Sequence, residues 1–402
     1  MRKPLIRIGL AAGALLAAGL AASTSGAASA APATHHGRHA VRVCAATGHA
    51  DVASCFAKVM VNAKGRVPSS STPPPSAMTP SDLQTAYNLS TKQSGGSTVA
   101  IVDAYGYPNL AKDLATYRSY FGLPACTTSN GCLTIMNQNG GTSLPRFDSG
   151  WAGEQALDVD AVSAICPDCK ITVVQAKSAT IANLGTAVNT AAKQAGVVAI
   201  SNSYGGGDLA DSSYAKYYRH TGIAVTASTG DNGYQGGSYP ASSSYVVAVG
   251  GTSLFKSSGY SESAWDGAGS GCSTVNPAFN AQTSTVTTGC GSYRGMADVS
   301  AAADPNYGGM AVYYPTSKTR STWAQVGGTS ESSPIIASVY ALAGSSSYSG
   351  VYANTVPYSH PSSLNDVTSG SNGTCSPSQL CTAGNGWDGP TGLGTPNGTG
   401  AF

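Results

Sequence analysis

Val99-Ala-Ile-Val-Asp-Ala-Tyr105 is a run of small and branched apolar residues interrupted only by Asp103, and a helix-forming stretch from Leu110 to Phe121 follows it. A strand that is apolar at consecutive positions is buried on both faces, which marks a parallel sheet covered by helices. The pattern recurs down the chain. Strands are predicted at Ile171–Gln175, Val197–Ser201, Gly222–Ala227 and Val246–Gly250, with a helix over Ile181–Gln194 between the first two. A further helix is predicted from Gly153 to Ile165, where Leu157, Ala161, Ala164 and Ile165 share one side. The fold class is therefore α/β: a largely parallel central sheet with helices on both faces. Ligand chemistry is expected at the carboxyl ends of its strands. The Gly/Ser/Thr-rich stretch 255–325 reads as long loops walling a cleft.

Outward from this domain, the N-terminus has the layout of a secretory signal peptide. Arg2, Lys3 and Arg7 precede an apolar stretch from Ile8 to Ala22, and Ala28-Ser29-Ala30 offers a small-residue cleavage site. The stretch is too short and too rich in Ala and Gly for a spanning anchor. Residues 1–30 are accordingly read as removed, and the mature protein as secreted, extracellular and off the membrane. Residues 31–80 read as a short, poorly ordered leader ending in the Pro/Ser-rich linker Ser69–Pro80, and residues 81–402 as one large domain. A monomer is expected. Losing residues 1–30 removes three of the 21 basic residues, which leaves 18 against 19 acidic ones and a formal charge of −1. That balance gives no reason to expect a nucleic-acid partner.

The ten cysteines fall into sequence-local pairs, Cys44/Cys55, Cys126/Cys132, Cys166/Cys169, Cys272/Cys290 and Cys375/Cys381. An even count in an exported chain reads as disulfides, and bridging between nearest neighbours is the simplest arrangement, although sequence does not fix connectivity. A redox role for Cys166-Pro-Asp-Cys169 lacks a thioredoxin-like context, and zinc lacks a second ligand pair.

Three short motifs carry chemistry. Glu154 and Asp158 are four apart on a predicted helix, so their carboxyls project from one face, flanked by Leu157, Ala161 and Ile165. Two carboxylates close together in a partly buried site cannot both ionise cheaply, and one keeps its proton to higher pH. Such a pair is an acid/base device, or else a solvated acidic face. Gly327-Gly-Thr-Ser-Glu-Ser-Ser-Pro334 is a glycine turn feeding the apolar helix Ile335–Leu342. A serine there stands where free N–H groups favour developing negative charge, which suits a nucleophile; the alternative is a plain helix cap. Thr226-Ala-Ser-Thr-Gly-Asp-Asn-Gly233 ends a strand in a turn that presents Asp231. Of the six histidines, His35, His36, His39 and His49 lie in the leader, and His220 and His360 sit in no strand–Gly–helix context. A Ser-His-Asp triad is therefore poorly supported, and the base for Ser330 is expected to be a carboxylate.

In this order, the motifs resemble the sedolisin family, the serine-carboxyl peptidases, over about Thr79–Asn397. The resemblance rests on Glu154-Gln-Ala-Leu-Asp158-Val-Asp160, Ile200-Ser-Asn-Ser-Tyr-Gly205, Ala227-Ser-Thr-Gly-Asp231, Tyr239–Thr252 and Gly328-Thr-Ser330 with Pro334 beyond it. It implies a subtilisin-like fold, protein and peptide substrates, and an acyl-enzyme on Ser330. Glu154 would take the proton from Ser330, Asp158 would orient Glu154, and a protonated Asp231 would donate to the oxyanion. Activity would then be acidic. The C-terminal segment is similar to the family's calcium site, with Asp366, Val367, Gly384, Gly386 and Asp388 offering carboxylates and backbone carbonyls to one structural Ca²⁺.

The leader is too short for the folded prodomain usual in that family. Val99-Ala-Ile-Val-Asp103 also looks like the strand that bears the triad aspartate in ordinary subtilisins, which leaves Asp103 as remnant, structural group or contributor to the site. Two other readings stand beside the peptidase: a secreted, inactive binding or surface relative, and an acid glycosidase using Glu154 with Asp158. The second leaves Ser330 and Asp231 without roles.

Overall fold

The structure is a computed structural model that describes Met1 and residues 37–89 and 93–402. Apart from Met1, the expected export signal lies outside the described residues. Residues 37–402 form one unit. Its centre is an eight-stranded sheet running, from one edge, Ser261–Ala264, Val247–Phe255, Ala224–Ser228, Val197–Asn202, Thr98–Ala104, Lys170–Ala176 and Leu133–Asn137, with Val299–Ala302 also paired to Val247–Phe255. Ser261–Ala264 pairs antiparallel, and the other pairings in this sheet are parallel.

Thr98–Ala104 is buried at every position, as its unbroken apolar run requires. Its register, Ile101 opposite Val173 and Ser201, sets it between its two neighbours. The helix Leu110–Tyr120 leaves this strand after a glycine turn, and Ile181–Ala191 packs against the strands on either side of it.

Two helices matter most for the site. Ser149–Ile165 starts at Asp148, whose side chain accepts from Gly150 N and Trp151 N, both at 3.1 Å, and so satisfies two of the free donors of the first turn. It is buried from Trp151 to Ile165, not on one side alone, because it lies between the central sheet, the helices on either side of it and a second sheet. Removing the Leu157 side chain from this packing by Leu157→Ala would cost about 2–5 kcal/mol. Thr329–Ala343 starts after Gly328, whose φ of 103° a side chain rarely adopts.

The second sheet joins His39–Arg42, Lys58–Val61, Arg320–Gly327 and Met310–Ser317, all antiparallel. It revises two expectations. The stretch 255–325 is not loop alone: it holds Ser261–Ala264, Gly271–Pro277, Tyr293–Met296, Val299–Ala302, Met310–Ser317 and the start of Arg320–Gly327. Serine or threonine stands in five of these six strands, and composition there looks like loop while cross-strand pairing makes sheet. Part of the stretch 31–80 is likewise ordered: its strands pair with the body of the domain, and Cys44 is bridged to Cys55.

All ten cysteines are bridged between nearest neighbours, Cys44–Cys55, Cys126–Cys132, Cys166–Cys169, Cys272–Cys290 and Cys375–Cys381. No helix among the described residues is long and apolar enough to cross a membrane.

Candidate active site

Ser330 is the second residue of the helix Thr329–Ala343, and it is fully buried. Its Oγ donates to the Ser203 carbonyl at 3.1 Å. Pro334 lies four residues on and has no N–H to give the Ser330 carbonyl. The freed carbonyl accepts from Ser203 Oγ at 3.2 Å, so the proline that looks like a helix defect leaves an acceptor for the cleft strand.

Glu154 and Asp158 meet Ser330 from the neighbouring helix, one turn apart on the same face and fully buried. Asp158 Oδ1 accepts from Ser203 Oγ at 2.8 Å, so Ser203 bridges the serine helix and the carboxyl helix. Glu154 Oε2 accepts from the Ala57 amide at 3.0 Å, while Oε1 has no hydrogen-bond partner. Burial, above all, pushes Glu154 well above the usual carboxylate range, and the charge of Asp103 adds to it; the Ser330 hydroxyl pulls the other way. Burial likewise raises Asp158, reinforced by Asp103 and Glu154.

Asp103 lies at the end of its strand, carboxyl to carboxyl with Asp158, and burial pushes it up to about 8. Two carboxyls set against each other in a buried site cannot both ionise cheaply, so the cluster holds a proton that water would have removed. Sequence left Asp103 with three possible roles; the fold sets it against Asp158. Asp160, two residues on, faces elsewhere and accepts from Tyr313 N at 3.0 Å.

Asp231 closes the opposite side. Its Oδ1 accepts from Thr329 N at 2.8 Å and Thr329 Oγ1 at 2.9 Å, while Oδ2 is buried with no hydrogen-bond partner. Burial raises this carboxyl to about 6 against the opposing pull of Lys58, whose Nζ stands 4.0 Å from Oδ2. A carboxylic acid protonated on Oδ2 would present its O–H toward Gly328, beside Ser330. A Cβ added at Gly328 would come within 2.7 Å of that Oδ2, so glycine is what keeps the space open.

The histidines stand apart. His220 Nε2 is engaged with the Tyr217 carbonyl at 3.0 Å, and His360 is exposed. Neither side chain takes part in the hydrogen bonds of the cluster. Sequence reading missed Ser203 as a bridging group, although it stood inside a quoted motif; a hydroxyl gives no signal until its partners converge.

The calcium-type residues converge separately. Asp366 Oδ2 accepts from Gly386 N at 2.8 Å, and Asp388 Oδ2 from Gly384 N at 3.1 Å. Burial raises Asp388 to about 7 against the hydrogen bonds from Thr391 and Gly384, and the charge of Asp366 adds a smaller push upward. The two carboxylates are thus near enough for the charge of Asp366 to act on Asp388.

A doubly covered parallel sheet, a serine at a helix start and a buried Glu/Asp pair on the neighbouring helix define a subtilisin-like protein with carboxyls gathered near that serine. The chain belongs to the subtilase family, as a member of sedolisin type, and the family model matches residues 136–359. It is 31% identical over 361 residues to kumamolisin from Bacillus sp. (strain MN-32), a match that covers 81% of this chain and 63% of that protein. It therefore spans less than two thirds of that relative's length. Aorsin from Aspergillus oryzae is 40% identical over 110 residues, 26% of this chain and 15% of aorsin. Among solved structures, Pseudomonas sedolisin, a serine-carboxyl proteinase complexed with two molecules of pseudo-iodotyrostatin, shares the fold with a TM-score of 0.65 at 24% identity, over 80% of this chain and 95% of that one.

Proposed function

We propose that the chain is a secreted serine-carboxyl endopeptidase that hydrolyses peptide bonds in proteins at acidic pH through an acyl-enzyme on Ser330. One observation carries this reading: buried Ser330 stands beside Glu154 and Asp231, with Asp158 joined to it through Ser203 and Asp103 set against Asp158, and no histidine enters the hydrogen bonds of the cluster. In the proposed mechanism, Glu154 takes the Ser330 proton as Oγ attacks the substrate carbonyl, and the same proton passes to the leaving amine. Asp158, tied through Ser203 and Asp103, orients Glu154 and shares the cluster's charge. Asp231 donates through protonated Oδ2 to the oxyanion, together with the backbone N–H of Ser330. That donor requires acid: it is lost as pH rises through about 6, where Asp231 ionises.

Asp366 and Asp388, with the carbonyls of Val367, Gly384 and Gly386, would hold one structural Ca²⁺, which would neutralise the Asp366/Asp388 repulsion and tie the C-terminal loops together. Five disulfides accord with export into an oxidising compartment. We read the working form as a monomer acting on protein and peptide substrates, with no nucleic-acid or membrane partner.

The alternative is a catalytically inactive secreted relative that binds without cutting. Casein degradation at roughly pH 3–5, where carboxyl pairs trade protons, separates the two. The wild type degrades casein and Ser330→Ala does not. Equal degradation by both proteins would remove Ser330 from the mechanism.

A further inference from the structure

The cleft beside Ser330 is filled by the chain itself. Ser54–Cys55 pairs antiparallel with Tyr204–Gly205, in the register Ser54 with Gly205 and Cys55 with Tyr204. Phe56 N–H then donates to the Ser203 carbonyl at 3.4 Å. An extended peptide that is to be cut adds to an enzyme in this way, as one more strand on an exposed edge.

The Phe56 side chain occupies a recess between two glycines. A Cβ on Gly205 would lie 2.7 Å from Phe56 Cζ, and one on Gly230 would lie 3.6 Å from it. The Phe56 carbonyl oxygen rests against Gly328, where an added Cβ would collide with it and would also reach the unpartnered Asp231 Oδ2. Ser330 Oγ is 3.1 Å from Phe56 N, and the next amide, Ala57 N, is 3.0 Å from Glu154 Oε2. The serine, the oxyanion aspartate and the acid/base glutamate thus address one peptide bond.

We propose that Phe56–Ala57 is a self-cleavage site, cut in cis by Ser330, and that the chain before it is a substrate-like plug that keeps the cleft closed until the cut. This rests on the peptidase reading of Ser330. Ser330 Oγ adds to the Phe56 carbonyl carbon while its proton goes to Glu154. The Phe56 C–Ala57 N bond breaks, and Glu154 returns the proton to the Ala57 nitrogen. Water then hydrolyses the Phe56–Ser330 ester, which leaves a Phe56 carboxylate and free Ser330.

The surrounding structure suits release after a single cut. The Cys44–Cys55 bridge lies wholly upstream of the bond, so no disulfide ties the plug to the rest of the chain. The bridge also braces the residue next to Phe56. Lys58–Val61 owes four register pairs to His39–Arg42, which leaves with the plug, and only two to Arg320–Gly327, which stays. The cut therefore loosens the far side of the cleft as well. Ser330 and Ala57 are both 0% exposed before it, so no outside peptide reaches the serine while the plug is seated. The recess that holds Phe56 also assigns a preference: substrates with a large aromatic residue on the acyl side of the cut bond.

The full chain is produced as wild type, Ser330→Ala and Phe56→Gly, brought to about pH 4, where carboxyl pairs trade protons, and followed by intact mass and N-terminal sequencing over a wide range of protein concentration. The wild type acquires Ala57 as its first new N-terminus at a rate independent of concentration. Ser330→Ala stays uncut at this bond, and Phe56→Gly is cut about 10–100-fold more slowly, the effect of losing one buried aromatic side chain. Casein degradation with a first cut elsewhere, a rate that grows with concentration, or an unchanged rate in Phe56→Gly overturns the proposal and leaves the peptidase reading standing. A chain that cuts neither itself nor casein counts against both.

Discussion

The amide nitrogen of Ala57 lies 3.0 Å from Glu154 Oε2 and donates its hydrogen to that oxygen. A leaving-group nitrogen must receive a proton as its bond breaks, and a carboxyl at this distance is placed to supply it. The same glutamate stands next to Ser330, whose hydroxyl acts back on it. One group can therefore serve both halves of acyl transfer, as histidine does in the Ser-His-Asp arrangement.

Glu154→Gln keeps the size and the hydrogen-bond acceptor but cannot carry the proton. It is expected to lower kcat on a peptide substrate by about 10³–10⁴, with little change in KM, the pattern of a group used only in the transition state. Steady-state kinetics on processed protein checks this, and a change confined to KM would count against it.

Asp231 separates a donor from a charge. Asp231→Ala removes the oxyanion donor and is expected to cost about 10²–10³ in kcat. Asp231→Asn keeps an N–H toward Gly328 while its oxygen still accepts from Thr329, so it loses less than Ala and its alkaline limb no longer tracks the ionisation near pH 6. Equal losses and equal limbs in the two variants would remove the donor role.

Stability should fall as pH rises. The folded state holds Asp103 protonated up to about 8 and Asp231 up to about 6, whereas the unfolded chain releases both near the ordinary aspartate value of 3.8. The folded state therefore binds more protons than the unfolded one between those limits, and their contribution, full below about pH 4, is lost as pH passes through about 6 and then about 8. Thermal midpoints of the Ser330→Ala chain from acid to neutral pH should fall accordingly, and Asp103→Asn should flatten the slope. A midpoint that climbs over the same range contradicts the assignment.

Calcium is expected to stabilise the C-terminal loops by binding the folded state only. Chelation should lower the thermal midpoint of the wild type, and Asp388→Asn should remove that response. The same midpoint with and without chelator would dismiss the ion.

Gly205→Val places branched carbon where the Phe56 ring now sits. On processed protein it should lower kcat/KM for peptides with Phe before the cut bond by about 10–100-fold relative to peptides with Ala there. An unchanged ratio would move the specificity recess elsewhere.

Much of this was legible in the chain. Val99–Tyr105 and Ile171–Gln175 fall within two residues of the strands they became, because a strand buried on both faces leaves an unbroken apolar run. Glu154 and Asp158 were legible because helical periodicity alone puts them on one face. The hairpin Met310–Ser317 and Arg320–Gly327 was not: Pro315-Thr-Ser317 and Ser321 give its turn end a loop composition, and only the partner strand reveals the sheet. The leader was misjudged for a related reason. The prolines and serines of Ser69–Pro80 coloured the reading of everything before them, while Cys55-Phe-Ala-Lys-Val-Met-Val61 carried the apolar signal of a strand that docks. The meeting of Asp103 with Asp158 depends on how a strand end faces a helix, which no local pattern encodes.

The most direct test of carboxyl-driven serine chemistry is the pH dependence of kcat/KM for peptide hydrolysis by the processed protein, with Ser330→Ala as control. The account predicts activity that is highest in acid, falls as pH rises through about 6 with the ionisation of Asp231, and is absent from Ser330→Ala. A maximum at about pH 8 or above, where a histidine-type base would work, or undiminished hydrolysis by Ser330→Ala, would contradict it.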